Sequence, residues 1–335
     1  MIRARLARVV IALCLAAGSV TNPASANPTP ALQELLLKAQ QSDAMAQYNL
    51  GIKYHFGQGV PVDDKQAAAW FHKAAEQGIV DAQFRLGLAY ATGKGVEQNY
   101  QHAFTWYQKA AEKGHTGAQI NLGSAYYNGQ GVDQDYKKAL EWYMKAEEKN
   151  DPVAQFNIGS MYRYGEGVVK DDKKALSWYR KSAEQGDAEG QGSLGLMYAL
   201  GEGVPRDYQQ AFHWFSKAAE QGQFASQYAL GNLYFEGKGV PQNYKYALNW
   251  FLKAAEQGHR VAQYTLGVMY TQGLGSEPDY TQAYVWSSLA AVNGDTGAVA
   301  IRDMAAKKLS PADLAHAQVH AVAMAATIGF KNRNK

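Results

Sequence analysis

The sequence predicts an all-α protein, a solenoid of seven 36-residue helical hairpins with capping helices at both ends. Three residue series predict it. Trp70, Trp106, Trp142, Trp178, Trp214, Trp250 and Trp286 recur every 36 residues without a slip. So do the glycines from Gly51 to Gly267 and the tyrosines from Tyr54 to Tyr270. With 47% hydrophobic and 19% charged residues, the chain has apolar material for a packed core and too little charge for a disordered polyampholyte.

The first element, residues 1–26, reads as a secretory signal peptide cleaved after Ala26. It carries Arg3, Arg5 and Arg8, then the apolar run Val9 to Ala17, then small residues ending Ala24-Ser25-Ala26. That run is shorter than the roughly 20 residues a membrane-spanning helix needs, and no later stretch supplies one. The signal predicts a periplasmic protein, with secretion beyond the cell as the alternative. Cys14 is the single cysteine and lies in this segment, so disulfides and thiolate-held zinc are excluded from the mature chain. Three of the 33 basic residues leave with it, and the remainder balance the 30 acidic ones. No basic stripe is left for phosphates, which argues against a nucleic-acid ligand.

Residues 27–43 read as an N-terminal capping helix, with Leu32, Leu35, Leu36 and Ala39 forming a second-helix pattern that lacks a first. Residues 44–294 hold the seven repeats. In the first copy, helix A runs from Met45 to Phe56 with Ala46, Leu50 and Tyr54 on one face and Gly51 at a close approach. Gly57 and Gly59 end it in left-handed backbone. Helix B then starts at an Asp or Asn N-cap: Asp63, Asn99, Asp135, Asp171, Asp207, Asn243 or Asp279. Ala67, Trp70 and Ala74 give helix B an apolar stripe, which makes the seven tryptophans the expected core anchors. One hairpin cannot bury two stripes alone, so it must stack on its copies. Residues 295–330 read as C-terminal capping helices, the second starting at Ser310-Pro311 and ending near Thr327. Residues 331–335 form a short basic tail.

The run A-x-x-L-G-x-x-Y-x-x-G-x-G-V, followed by D-Y-x-x-A-x-x-W-x-x-K-A-A-E-Q-G, resembles the Sel1-like repeat family, a relative of the tetratricopeptide repeats. The resemblance spans Ala44 to Gly294. It implies a right-handed α/α solenoid and a protein that binds other proteins. Departures are local: Ile158 replaces the repeat leucine, Gly190 and Ser226 replace an alanine of helix A, and the seventh copy reads Leu289-Ala-Ala-Val-Asn293 where the others approximate Lys-Ala-Ala-Glu-Gln.

Catalytic chemistry finds no support. His316 and His320 have ligand spacing but no third ligand, Ser-x-x-Lys is missing, and the Gly-x-Gly pairs follow helices where a phosphate loop follows a strand. The expectation is no enzyme, no cofactor and no metal. Positions that vary between copies are free of the stacking requirement and can serve a partner. Likeness to tetratricopeptide geometry places three such helix A rows on the concave face. The first holds Tyr48, Phe84, Phe156, Tyr228 and Tyr264. The second holds Ile52, Leu88 and Asn232, and the third His55, Tyr127, Arg163 and Phe235. The first row is either an exposed aromatic ladder or packing between neighbouring first helices; the third is expected to be exposed. The predicted function is a non-enzymatic scaffold or regulator in the bacterial envelope that binds protein or peptide segments. Aromatic faces leave peptidoglycan as an alternative ligand, and the family leaves host proteins contacted by a secreted factor.

Overall fold

The computed structural model describes residues 29–292 and 295–333. The signal-peptide reading of residues 1–26 lies outside them, as do Gly294 and the last two residues of the tail. The chain divides after Asp171 into two compact units. The first contains α1 (Pro30–Gln40), α2 (Ala44–Phe56), α3 (Asp64–Glu76), α4 (Val80–Thr92), α5 (Tyr100–Glu112), α6 (Thr116–Asn128), α7 (Tyr136–Glu147) and α8 (Pro152–Tyr164). The second contains α9 (Asp172–Glu184), α10 (Ala188–Leu200), α11 (Tyr208–Glu220), α12 (Phe224–Glu236), α13 (Tyr244–Ala255), α14 (Arg260–Gln272), α15 (Tyr280–Val292), α16 (Thr296–Lys308) and α17 (Pro311–Arg333). No strand occurs among the described residues. Within each unit the helices up to α16 each pack on the next, the sequential contact of a hairpin stack, and α17 packs back on α15. The last helix runs on to Arg333, beyond the stop expected near Thr327.

Local chemistry sets the constant loop. Asp63, Asn99, Asp135, Asp207, Asn243 and Asp279 each accept a first-turn amide through the side chain, at 2.9–3.1 Å. Each also donates its own N–H to the carbonyl of the repeat tyrosine at the end of helix A, as in Asp63 to Tyr54 at 3.0 Å and Asn243 to Tyr234 at 2.8 Å. A loop of any other length would break this bond, which is a physical reason for a repeat without insertions. The second glycine of the turn has a further duty. Gly95, with φ +76°, lies so close to the Asp64 carbonyl of the preceding hairpin that a Cβ would overlap it, and Gly131 meets Tyr100 in the same way. Gly59 has the same φ, +76°, but no preceding hairpin and nothing within 4 Å.

The core follows a different helix B phase from the one expected. Ala67, Phe71 and Ala74 are buried, and the repeat glycine lies under the ring that follows the tryptophan. A Cβ on Gly51 would come within 2.6 Å of Phe71, and one on Gly87, Gly123 or Gly231 within 2.6 Å of Tyr107, Tyr143 or Phe251. The anchors are therefore Phe71, Tyr107, Tyr143, Tyr179, Phe215 and Phe251, at most 4% exposed. Trp70, Trp106, Trp142, Trp178, Trp214 and Trp250 are only half-buried, each with the lysine three residues on above its ring, from Lys145 at 3.9 Å to Lys217 at 4.8 Å from the ring centroid. Their expected role as core anchors is corrected: the planar indole covers the outer edge of the stripe, and the lysine stem and charge cover the indole.

Trp286 is the exception, 2% exposed. Here Ser287 replaces the anchor ring, Leu289 replaces the lysine, and both pack inward while α17 covers α15. Trp286 and Leu289 join Ala317, Ala321 and Ile328 of α17 in one cluster. Leu289, which stands where the other copies have lysine, is thus part of the surface on which α17 sits. Gly190 and Gly192 are buried and tightly packed: a Cβ on Gly190 would stand 2.7 Å from the Ser182 Cβ, and one on Gly192 2.8 Å from the Ser226 Oγ. Serine thus takes the room that glycine leaves.

A buried glutamine ladder, unforeseen from sequence, joins successive hairpins. Gln47, Gln83, Gln119, Gln191, Gln227 and Gln263 each donate Nε2 to a carbonyl eight residues back, at 3.0–3.3 Å. The Oε1 atoms of Gln47, Gln191 and Gln227 accept from Gln77, Gln221 and Gln257 at 2.8–2.9 Å. Lys113 and Lys149 stand in that register opposite Gln83 and Gln119, but reach the Gly78 and Gly114 carbonyls instead. The Oε1 atoms of Gln83 and Gln119 are left buried without a partner. Lys113→Gln should supply the missing donor and keep the bond to Gly78, as Gln221 does with Gly186 at 2.9 Å. The expected gain is about 0.5–1.5 kcal/mol, read as a higher urea midpoint; an unchanged or lower midpoint would refute this reading of the ladder.

Candidate functional site

The three variable rows do not form one uniform surface. In the first row Phe84 is buried, and Tyr48, Phe156, Tyr228 and Tyr264 are half-buried. Tyr48 lies 6.0 Å from the Phe71 ring, Phe84 6.2 Å from Tyr107, and Tyr228 5.5 Å from Phe251. Phe84 and Tyr228 also stack on His115 and His259 of the next hairpin, with centroids 4.3 and 4.5 Å apart. The contacts with Phe71, Tyr107 and Phe251 lie within one hairpin; those with His115 and His259 pack Phe84 and Tyr228 against the next first helix, as the second reading of this row has it. Each of those histidines caps its helix, accepting through Nδ1 from Ala118 or Ala262 at 3.1 Å, which requires an unprotonated Nδ1. Burial lowers the pKa of both rings and so favours that form.

The second row keeps Ile52, Leu88 and Asn232 half-exposed. The third row was expected to be exposed and is only partly so. His55, Arg163 and Phe235 are half-buried, and Tyr127 is 5% exposed. The cause is the start of helix B, nine residues on. His55 Nδ1 lies 3.0 Å from Asp64, while the Tyr127 and Phe235 rings meet Tyr136 and Tyr244 edge to face at 5.2 and 5.1 Å. Tyr127 donates its hydroxyl to Glu166 at 2.5 Å, and burial followed by this carboxylate pushes the phenol pKa up. All three rows therefore keep part of their surface open to a partner, except at the buried Phe84 and Tyr127.

One cavity of about 190 Å3 opens beside these rows in the first unit. Leu88 and Ala91 of α4, Ala103, Phe104 and Tyr107 of α5, and Ala125 of α6 supply its apolar wall. Thr92, Tyr100, Asn121 and Gln130 add polar atoms. Sequence reasoning missed it, although small residues at Ala91 and Ala125, beside bulkier residues in other copies, signal it. Among the described residues no group of three or more His, Cys, Asp or Glu side chains could hold a metal ion. His316 and His320 are exposed on α17. No described helix is long and apolar enough to cross a membrane.

Stacked helical hairpins with a constant buried register and a variable, partly open face define a repeat protein of the interaction-scaffold class. The chain belongs to the Sel1 repeat family: that repeat matches residues 44–79, 80–115, 116–151, 152–187, 188–223, 225–259 and 260–295. A Sel1 repeat protein from Oxalobacter formigenes is similar in structure, with a TM-score of 0.69 and 36% identity over 80% of this chain and 78% of that one. So is c5321, a protective antigen present in uropathogenic Escherichia coli strains and displaying the same repeat fold, with a TM-score of 0.53 and 33% identity over 90% of this chain and 74% of that one. No curated protein matches the sequence. Sel1 repeats generally mediate protein–protein interaction and are generally non-enzymatic.

Proposed function

We propose that this protein is an exported, non-enzymatic scaffold or regulator of the bacterial cell envelope that binds segments of partner proteins on the variable face of its first helices. The observation that carries the reading is the division of labour within each repeat. Ala46, Leu50, Gly51, Phe71 and Ala74 are fixed in kind by burial, whereas Ile52, Leu88, Arg163, Asn232 and Phe235 change from copy to copy and keep part of their surface in water. Mixed apolar and polar groups on that face suit an extended segment or a partner helix. Export rests on the arginines, apolar run and small-residue end of residues 1–26.

The test is capture by the mature chain, residues 27–335, from periplasmic extract and on purified sacculi in parallel. The control is an Ile52→Asp/Arg163→Glu variant with an unchanged circular-dichroism melt. A protein held by the natural sequence and lost at least 10-fold by the variant supports the proposal. Capture on sacculi alone overturns it in favour of a glycan ligand. A protein held equally by both chains moves the binding face elsewhere.

A further inference from the structure

The side chain that caps the start of each first helix changes its chemistry from copy to copy. It is a carboxylate in Asp43, Asp151, Asp187 and Asp295, an amide in Gln223 and an imidazole in His115 and His259. All seven accept a first-turn amide, at 2.5–3.1 Å. Of these three groups only the imidazole ordinarily titrates near neutral pH, and only there does one proton remove the accepting atom.

A proton on Nδ1 would set one N–H against another, that of Ala118 or Ala262, and would place a positive charge at the positive end of the helix dipole. Neither ring has much freedom to turn away. The histidine N–H groups are held by the Ala110 and Ala254 carbonyls at 3.1 Å, and the rings stack on Phe84 and Tyr228. The charges around the two rings differ. Asp81 of α4 lies 3.4 Å from His115 Nε2 and favours the charged ring, but it is exposed, and Lys149 and Arg85 act against it. His259 faces Phe224 and Tyr228 of α12, and among the described residues no charged side chain bears on it. An aromatic face attracts a cation. Burial outweighs these attractions and favours the neutral form of both rings. The same two residues begin the helices of the buried glutamine ladder: the N–H groups of Gln119 and Gln263 bond to the His115 and His259 carbonyls at 3.0 and 3.1 Å.

We propose that His115 and His259 are acid-sensitive joints, whose protonation opens the first turns of α6 and α14 and withdraws the support on which the Phe84 and Tyr228 rings of the variable face rest. Because the closed turn disfavours the charged ring, the stability it contributes is complete above the ordinary histidine pKa of about 6.5 and is lost as pH falls below it. The inference stands whether or not the variable face binds a partner, so the two readings can fail separately.

The test is hydrogen exchange of the full chain followed by mass spectrometry at about pH 7.5 and about pH 5, corrected for the intrinsic pH dependence of exchange. Protection at the starts of α6 and α14 is expected to fall about 3-fold or more beyond any fall at the starts of α8 and α10, where Asp151 and Asp187 are the caps. His115→Asn/His259→Asn keeps a capping oxygen that gains no proton in this range, and it should remove the excess at both helices. Each single substitution should remove it at its own helix only, so the result is readable if the double variant fails to fold. An equal fall at all four helices of the natural chain, or an excess that persists in a folded asparagine variant, would overturn the assignment.

Discussion

Phe251→Ala is expected to destabilise the protein by about 3–5 kcal/mol, and Trp250→Ala, one residue away, by about 1–2 kcal/mol. Phe251 is fully buried, seated on Gly231 and among Ala247, Ala254 and Leu266, so truncation leaves a void that its neighbours cannot fill. Trp250 loses a half-buried ring and a lysine contact at 4.0 Å, and water takes their place without a cavity. Burial is asymmetric although the two rings adjoin in sequence. Urea unfolding followed by circular dichroism reads both. Because neighbouring repeats couple, comparison of transition midpoints and shapes is more informative than a single extrapolated free energy. If Trp250→Ala costs as much as Phe251→Ala, the assignment of the inner stripe is wrong.

Gly95→Ala and Gly59→Ala should separate two reasons for glycine that the sequence cannot separate. Both positions have φ +76°, so both alanines pay the same left-handed backbone penalty of about 1–2 kcal/mol. At Gly59 nothing further is met. At Gly95 the new methyl runs into the Asp64 carbonyl, and the hairpins must part to admit it. An additional cost of about 1–3 kcal/mol is expected there, with faster hydrogen exchange at the start of α3. Equal midpoints for the two variants would remove the claim that the second glycine sets the spacing between hairpins.

The repeat was legible in the sequence because its period is rigid. Caps, turn glycines and the loop bond from Asp63 to Tyr54 tolerate no insertion, and an uninterrupted 36-residue register is easily seen. The phase of helix B was misread because Trp70 and Phe71 both suit an apolar stripe, and one residue is a 100° turn on a helix. The glycine series held the missing information. Gly51 needs a ring laid flat on it, and geometry decides that the ring is Phe71. The glutamine ladder stayed hidden for a related reason: a recurring glutamine reads as a solvated face until burial shows otherwise. On the variable face, row membership was legible but exposure was not, since His55, Tyr127 and Phe235 turn toward side chains nine residues on. The cavity depends on what Ala91 and Ala125 lack, which appears only when the copies are compared at fixed register.

Site-specific photocrosslinking in living cells tests the central claim most directly. A photoreactive phenylalanine would be placed singly at Ile52, Arg163 and Asn232 on the variable face, and at the exposed second-helix positions Gln101 and Ser177. The predicted result is a discrete crosslinked protein of the cell envelope from the first three positions and none from the last two. Crosslinks from Gln101 and Ser177 but not from Ile52, Arg163 and Asn232 would contradict the account, because the partner would then lie on the second helices.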